Sequence, residues 1–210
     1  MPELRDSNLS ISGLEIINNR KVLLIACGAL AKEIVYLIEL NNWHHLDLIC
    51  LPAILHNNPE KITPLVVSKI KEHEKKYTNI FVAYADCGTG GDLENACRKL
   101  GVEIIAGPHC YSFYEGNQEF EQREEITAFY LTDFLVRQFN SFVIKPLGLD
   151  KHPELRDTYF RHYEKLVYQA QTNDPELDKL AEAHSKTLGL NFERRFTGFG
   201  QLEIELSNFK

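Results

Sequence analysis

A chain of 210 residues, 44% hydrophobic, 25% charged and 10% aromatic, has the make-up of an ordinary globular protein with its own apolar core. Thirty acidic against 23 basic residues give a net charge of -7, which opposes a phosphate-neutralising surface, so nucleic acid is not expected as a partner. No apolar run reaches the roughly 18–20 residues that cross a bilayer, and MPELRDSNLSISGLEI lacks the basic-then-apolar order of a signal peptide, so a cytoplasmic protein free of membrane is expected.

Along the chain, short apolar runs alternate with segments of helical period. Residues 21–26 (KVLLIA) read as a strand buried on both faces, and residues 29–40 as a helix with Leu30, Ile34, Leu37 and Ile38 on its apolar side. Residues 46–51 (LDLICL) form a second strand, followed by a proline-bounded loop containing His56 and a helix over 61–75. Residues 79–84 (NIFVAY) make a third strand running into Asp86-Cys87-Gly88-Thr89-Gly90-Gly91, then a helix over 92–100 and a fourth strand over 102–106. Such alternation implies right-handed βαβ units and a Rossmann-like, three-layer α/β core with a mostly parallel sheet over about residues 20–116. Beyond it we expect helices over 124–138, 152–171 and 174–188 and a short strand pair over 193–206. These form a C-terminal extension (124–210) of one domain spanning 1–210.

The five cysteines are odd in number and are not expected to form a disulfide framework. Cys50 and Cys97 lie within a strand and a helix and read as core residues, since a free cysteine behaves as a small hydrophobe. Cys27, Cys87 and Cys110 each follow a predicted strand, and His56 follows the remaining one. In an open parallel sheet all carboxyl ends share one edge, so four separate segments deliver three thiols and an imidazole to one rim. That donor set suits zinc, and thiolates also hold iron–sulfur clusters. His109 is a substitute imidazole or a neighbour of the ligands, its alternative being a loop histidine packed on Tyr111. The glycines of Gly88-Thr89-Gly90-Gly91, between a strand and a helix, offer backbone N–H groups to an anion. The same helix start favours a thiolate at Cys87, which is therefore also a candidate nucleophile. Glu33 and Asp86 are candidate proton acceptors. Tyr130, Thr132 and Asp133 bring polar groups to an aromatic segment, and Arg194, Arg195 and Thr197 offer a grip for a carboxylate or phosphate, or else form an exposed strand face.

The segments LIACGAL (24–30), LPAILHNNPEKI (51–62), YADCGTGG (84–91), GPHCYSFYEG (107–116), YLTDFL (130–135) and RFTGFGQLE (195–203) together resemble the family called domain of unknown function 1638. Cys27, His56, Cys87 and Cys110 all fall within those segments. Members of that family are often encoded among genes for corrinoid-dependent methyltransferases and their carrier proteins. The resemblance implies a role near one-carbon transfer from methylated amines; joined to the Cys/His donor set, the expectation is a metal-dependent enzyme or accessory factor in corrinoid-linked methyl transfer, with a small-molecule ligand and with corrinoid met only through a partner corrinoid protein or methyltransferase. Two other readings stand beside it: a non-catalytic adaptor or chaperone for a corrinoid protein, with structural cysteines, and a metal-free thiol enzyme using Cys87.

Overall fold

The structure, a computed structural model, describes residues 4–209. The chain divides into two compact units. One comprises the described residues up to Phe113 together with the segment from Gln201 onward, and the other is Tyr114–Gly200. The sequence had suggested a single domain carrying an extension from residue 124.

The first unit holds a five-stranded sheet in the order β1-β3-β2-β4-β5, formed by β1 (Leu14–Ile16), β2 (Val22–Cys27), β3 (Leu46–Leu51), β4 (Asn79–Ala83) and β5 (Glu103–Ile104). All pairings are parallel except the edge strand β1, which runs antiparallel to β3. β1 was not expected, because three residues are too few to display a strand period. Every residue of β2 and β3 is buried, as the continuous apolar runs require. Each fully buried Leu, Ile or Val side chain there contributes about 1.5–3 kcal/mol. Asp47 is the one charged residue within these two strands. Its carboxylate accepts hydrogen bonds from Asn18 N–H (2.8 Å), Arg20 N–H (3.2 Å) and the Tyr77 hydroxyl (2.8 Å), which offset its desolvation.

From β2 the chain steps sideways to β3, then jumps back across β2 to β4 and onward to β5. With right-handed crossovers, this reversal puts the helix Ala31–Leu40 on one face and the helices Ile62–His73 and Asp92–Leu100, which pack on each other, on the opposite face. The sheet is thus the middle of three layers, as expected. Its topological switch point lies between the carboxyl ends of β2 and β4, the place where open α/β sheets hold ligands.

The closing helix, Gly200–Asn208, returns to this unit: Asn41 Nδ2 donates to Glu203 Oε1 (3.2 Å), and the Phe209 ring stacks on Phe81 at 4.2 Å. The sequence had suggested a strand pair over 193–206. The LEIEL alternation fits a strand, but Leu202 and Leu206 are buried while Ile204 is exposed, which is the i, i+4 face of a helix.

The second unit contains a three-stranded parallel sheet, β6 (Ala128–Thr132), β7 (Lys165–Ala170) and β8 (Asn191–Phe196), with β7 central. The segments 124–138 and 152–171, expected to be helical throughout, each combine short helix with a strand, β6 and β7. AFYLT and KLVYQA are rich in aromatic and β-branched residues, and their apolar spacing in a short window does not separate a buried strand from a helix. Thr132 ends β6 by capping the helix Asp133–Arg137, its Oγ1 accepting from Leu135 N–H. Leu131, Leu166, Tyr168 and Ala170 meet Leu177, Ala181 and Leu188 of the helix Pro175–Leu188 in a single apolar core.

The sequence-selected polar groups of this unit are paired internally. Asp133, almost fully buried, accepts from the Tyr168 hydroxyl (2.7 Å), Gln171 N–H (3.0 Å) and the Thr172 hydroxyl (2.6 Å). Arg195 forks onto Glu115 (2.8 Å), Glu125 (3.2 Å) and Glu193, and Arg194 bonds Asp178 (2.6 Å). The Thr197 hydroxyl donates to the Ala170 carbonyl. The guanidinium groups offered to a carboxylate or phosphate ligand are therefore spent on the protein's own carboxylates.

Candidate metal centre at the carboxyl edge of the sheet

β2 pairs with β3 as far as Cys27 and Leu51, and with β4 as far as Ala26 and Ala83, so the segments that follow leave the sheet at a common edge. Cys27, the last residue of β2, leads directly into a turn at Gly28–Leu30, and its sulfur accepts a hydrogen bond from Ala29 N–H (3.3 Å). A side chain at Gly28 has no room: a Cβ there would lie 2.5 Å from the Leu9 carbonyl oxygen and 2.8 Å from that of Leu51. Gly28→Ala is therefore expected to destabilise the protein by about 1–3 kcal/mol through overpacking, read as a lower urea midpoint. An unchanged midpoint would mean the turn has slack that the packing does not show.

β3 exits into the short helical turn Ala53–Asn57, which carries His56. Its Nδ1 lies 3.0 Å from the Ala53 carbonyl oxygen and 3.8 Å from Cys27 Sγ. A carbonyl oxygen only accepts, so this contact favours the proton on Nδ1 and leaves the lone pair of the neutral ring on Nε2. β4 exits through Tyr84 and Ala85 to Asp86 and Cys87, whose N–H groups donate to the Gly107 and Pro108 carbonyls (2.9 and 3.0 Å). Those two bonds tie the end of β4 to the loop carrying Cys110. Cys87 itself adopts a left-handed backbone (φ 47°), uncommon for a residue with a Cβ and typical of functional turns.

The outcome is a compact cluster. One nitrogen of His56, Cys87 Sγ and Cys110 Sγ lie within 4.8 Å of one another, with both cysteines buried and the histidine partly so. The two sulfurs are 3.1 Å apart, about 1 Å beyond a disulfide bond. Two thiolates on a tetrahedral zinc at about 2.3 Å sit about 3.8 Å apart, so a bound ion needs them to part by only about 0.7 Å. Cys27 stands against this cluster, in hydrogen-bonding reach of Cys110 and beside Nδ1 of His56.

Electrostatics at the cluster run against the expected activation of Cys87. Its thiol is held well above the ordinary range, first by hydrogen bonding to Cys110 and then by burial. The Cys110 thiol is raised too, chiefly by its contact with Cys27. For His56, burial disfavours the charged ring, yet hydrogen bonding to Cys110 and Cys87 outweighs it and raises the imidazole. Without a cation, the cluster is stabilised by keeping its protons.

The family described as "Protein of unknown function (DUF1638)" matches residues 50–205, well over half of the chain. The chain belongs to that family. No curated protein and no solved structure gives a significant match. Within the DUF1638 segment lie His56, Cys87 and Cys110, whereas Cys27 precedes it.

The other candidates fall outside the cluster. His109 stacks on Tyr111 at 4.8 Å, and burial lowers its pKa. Glu33 is buried in the first turn of the helix Ala31–Leu40, where its charge adds to burial in raising the Cys50 thiol. Cys50 and Cys97 are buried and free, with burial pushing Cys97 up to about 11. The loop Gly88-Thr89-Gly90-Gly91 is no open anion site, because the chain supplies its own anion. The Asp86 carboxylate accepts from the N–H groups of Gly88 (3.2 Å), Gly90 (3.2 Å) and Gly91 (2.6 Å) and from the Thr89 hydroxyl (2.9 Å).

Burial works against the Asp86 charge, but those bonds prevail and hold the carboxyl below its usual value of 3.8. Asp86 is thus a clamp on the loop that sets Cys87 and is not a free proton acceptor. Asp86→Ala should cost about 2–3 kcal/mol through lost charge-assisted bonds. Because the folded-state pKa is depressed, this stabilisation is present above about pH 4 and fades as pH falls through the folded value, so the variant loses that part of the acid-unfolding limb. Superimposable acid limbs would contradict the clamp.

Sequence reasoning missed Tyr84. It is fully buried, its ring lies nearly parallel to that of His56 (14°, centroids 6.4 Å apart), and its hydroxyl has no hydrogen-bond partner among the described residues. Leaving a buried hydroxyl unpaired costs about 1–3 kcal/mol. The signal was a polar tip at the end of an otherwise apolar strand, three residues before Cys87. A cleft of about 650 Å³ lies against the same loop, lined in part by Pro59, Thr63, Gly88, Thr89, Asn95 and Lys99. No helix among the described residues is long and apolar enough to cross a membrane.

Proposed function

We propose that the protein binds one zinc ion through His56, Cys87 and Cys110 and uses it to activate a small thiol in corrinoid-linked methyl transfer. The observation that carries the metal reading is the convergence of these three donors from three separate loops within 4.8 Å. Thiolate and imidazole are the donors zinc prefers, and three protein ligands leave its fourth position open, the arrangement of catalytic zinc. Cys27, held by Ala29 N–H and lying beside Nδ1 of His56, orients the imidazole from outside the ligand set. So compact a set fits one ion, whereas an iron–sulfur cluster needs ligands spread over several irons.

In this reading His56, Cys87 and Cys110 would hold the zinc, which would supply Lewis acidity to a substrate thiol at its open position, the thiol proton passing to solvent. The resulting thiolate would be the acceptor for a methyl group from a methyl-corrinoid presented by a partner protein, an S–C bond replacing the Co–C bond with that electron pair left on cobalt. The corrinoid link is supported by the family resemblance. A metal-free nucleophile is disfavoured by the raised Cys87 thiol.

The test is anaerobic incubation of zinc-loaded protein with methylcobalamin and 2-mercaptoethanol, followed by the absorbance of cob(I)alamin and by detection of the methyl thioether. Turnover that vanishes on chelation and returns with zinc supports the assignment. Zinc-loaded protein that binds a corrinoid protein but forms no thioether with any small thiol overturns it in favour of an adaptor.

A further inference from the structure

The hydroxyl of Tyr84 is the most conspicuous buried polar atom of the first unit that the zinc assignment leaves unused. Tyr84 follows β4 directly, is wholly shielded from solvent, and packs its ring alongside His56. The thiol groups of Cys27, Cys50, Cys87 and Cys110 are near enough to interact with it electrostatically. None of them accepts its hydrogen, although sulfur contacts reach to 3.8 Å elsewhere in the cluster. Phenylalanine would fill the same space without an unpaired hydroxyl, and a buried tyrosine ordinarily finds an acceptor. The missing acceptor therefore belongs to something that enters the site.

We propose that Tyr84 donates a hydrogen bond to the exogenous ligand that completes the His56–Cys87–Cys110 metal site, and so selects ligands whose metal-bound atom keeps a lone pair, such as thiolates and oxyanions. This rests on the zinc reading and adds the rule by which the open position chooses its occupant. A ligand such as imidazole spends its one lone pair on the metal and offers the phenol nothing. A thiolate bound through sulfur keeps lone pairs directed away from the metal. A phenol keeps its proton through the neutral range, so Tyr84 is a donor there.

Cobalt-substituted protein makes the ligand visible through its d–d and sulfur-to-cobalt bands. Wild type and Tyr84→Phe are titrated with 2-mercaptoethanol and, separately, with imidazole. Loss of one bond to a charged acceptor should weaken 2-mercaptoethanol about tenfold in the variant, while imidazole affinity stays the same. Metal-free Tyr84→Phe should fold at least as stably as wild type, because it sheds an unpaired hydroxyl, whereas a purely structural tyrosine would make it weaker. Equal loss for both probes, no loss for either, or a destabilised metal-free variant overturns the proposal. Wild type that binds cobalt but responds to neither probe also overturns it while leaving metal binding intact. Wild type that binds no cobalt removes the zinc reading itself.

Discussion

Wild-type protein purified anaerobically is expected to hold about one equivalent of zinc, and His56→Ala, Cys87→Ser and Cys110→Ser each less than about one-tenth. Removing any one of three donors leaves two, too few to hold the ion against dilution, and serine is a poor stand-in for a thiolate. Cys27→Ser behaves differently because its sulfur touches His56 Nδ1 and is bonded to Ala29 N–H. It should retain near-full occupancy with affinity lowered about 10–100-fold, the usual penalty for losing a group that orients a ligand. Stability follows occupancy. Free zinc at a thousand times its dissociation constant stabilises the folded state by about 4 kcal/mol, so the metal should raise the unfolding temperature of wild type and of Cys27→Ser, and leave the three triad variants unmoved. Elemental analysis beside thermal melts reads both. Loss of zinc in Cys27→Ser equal to that in the triad variants would make Cys27 a full fourth ligand, and metal-free wild type would remove the site.

The legibility of this site in the sequence has a physical basis. Continuous apolar runs such as LLIA and the VLLIAC strand they became are unambiguous when both sheet faces are covered, and parallel topology sends their carboxyl ends to one rim. Three cysteines and a histidine just past four such runs are therefore legible as neighbours in the sequence alone. Which of them are closest is not, because that depends on the left-handed backbone of Cys87 and on the Asp86 clamp, both set by hydrogen bonds across the loop. Asp86 in sequence looks like a free acid, and only the geometry shows it filling the cradle its own glycines make. Tyr84 looked like core because its ring is core, and only its hydroxyl is out of place. In the second unit the strands AFYLT and KLVYQA were hidden for a different reason. Buried five- and six-residue runs carry no period that excludes a helix, and the pairing that makes them strands is with each other, a long-range contact no local window contains.

Zinc affinity should rise steeply with pH, and the direction follows from the thiols. The hydrogen bond to Cys110 and burial keep Cys87 protonated, and the contact with Cys27 together with burial keeps Cys110 protonated, in the metal-free protein at neutral pH. Zinc binds thiolates, so each ion that enters must expel both protons, and a third from His56 wherever the raised imidazole is still charged. Linkage then gives an affinity that grows by at least about 100-fold per pH unit near neutrality, and faster wherever His56 is charged. Competition with a chromophoric chelator at pH 6, 7 and 8 measures the slope, and calorimetry in buffers of different ionisation enthalpy counts the protons directly. The metal-free protein should show the opposite trend. A thiol whose folded pKa is raised stabilises the fold fully below the unfolded value near 9, and that contribution is lost as pH climbs toward the folded value. Urea unfolding between pH 7 and 10 should therefore weaken the chelated protein above pH 9 while the zinc-loaded protein, its sulfurs already ionised and paired with the metal, holds its midpoint. Zinc affinity flat from pH 6 to 8 would mean that the sulfurs are not the ligands.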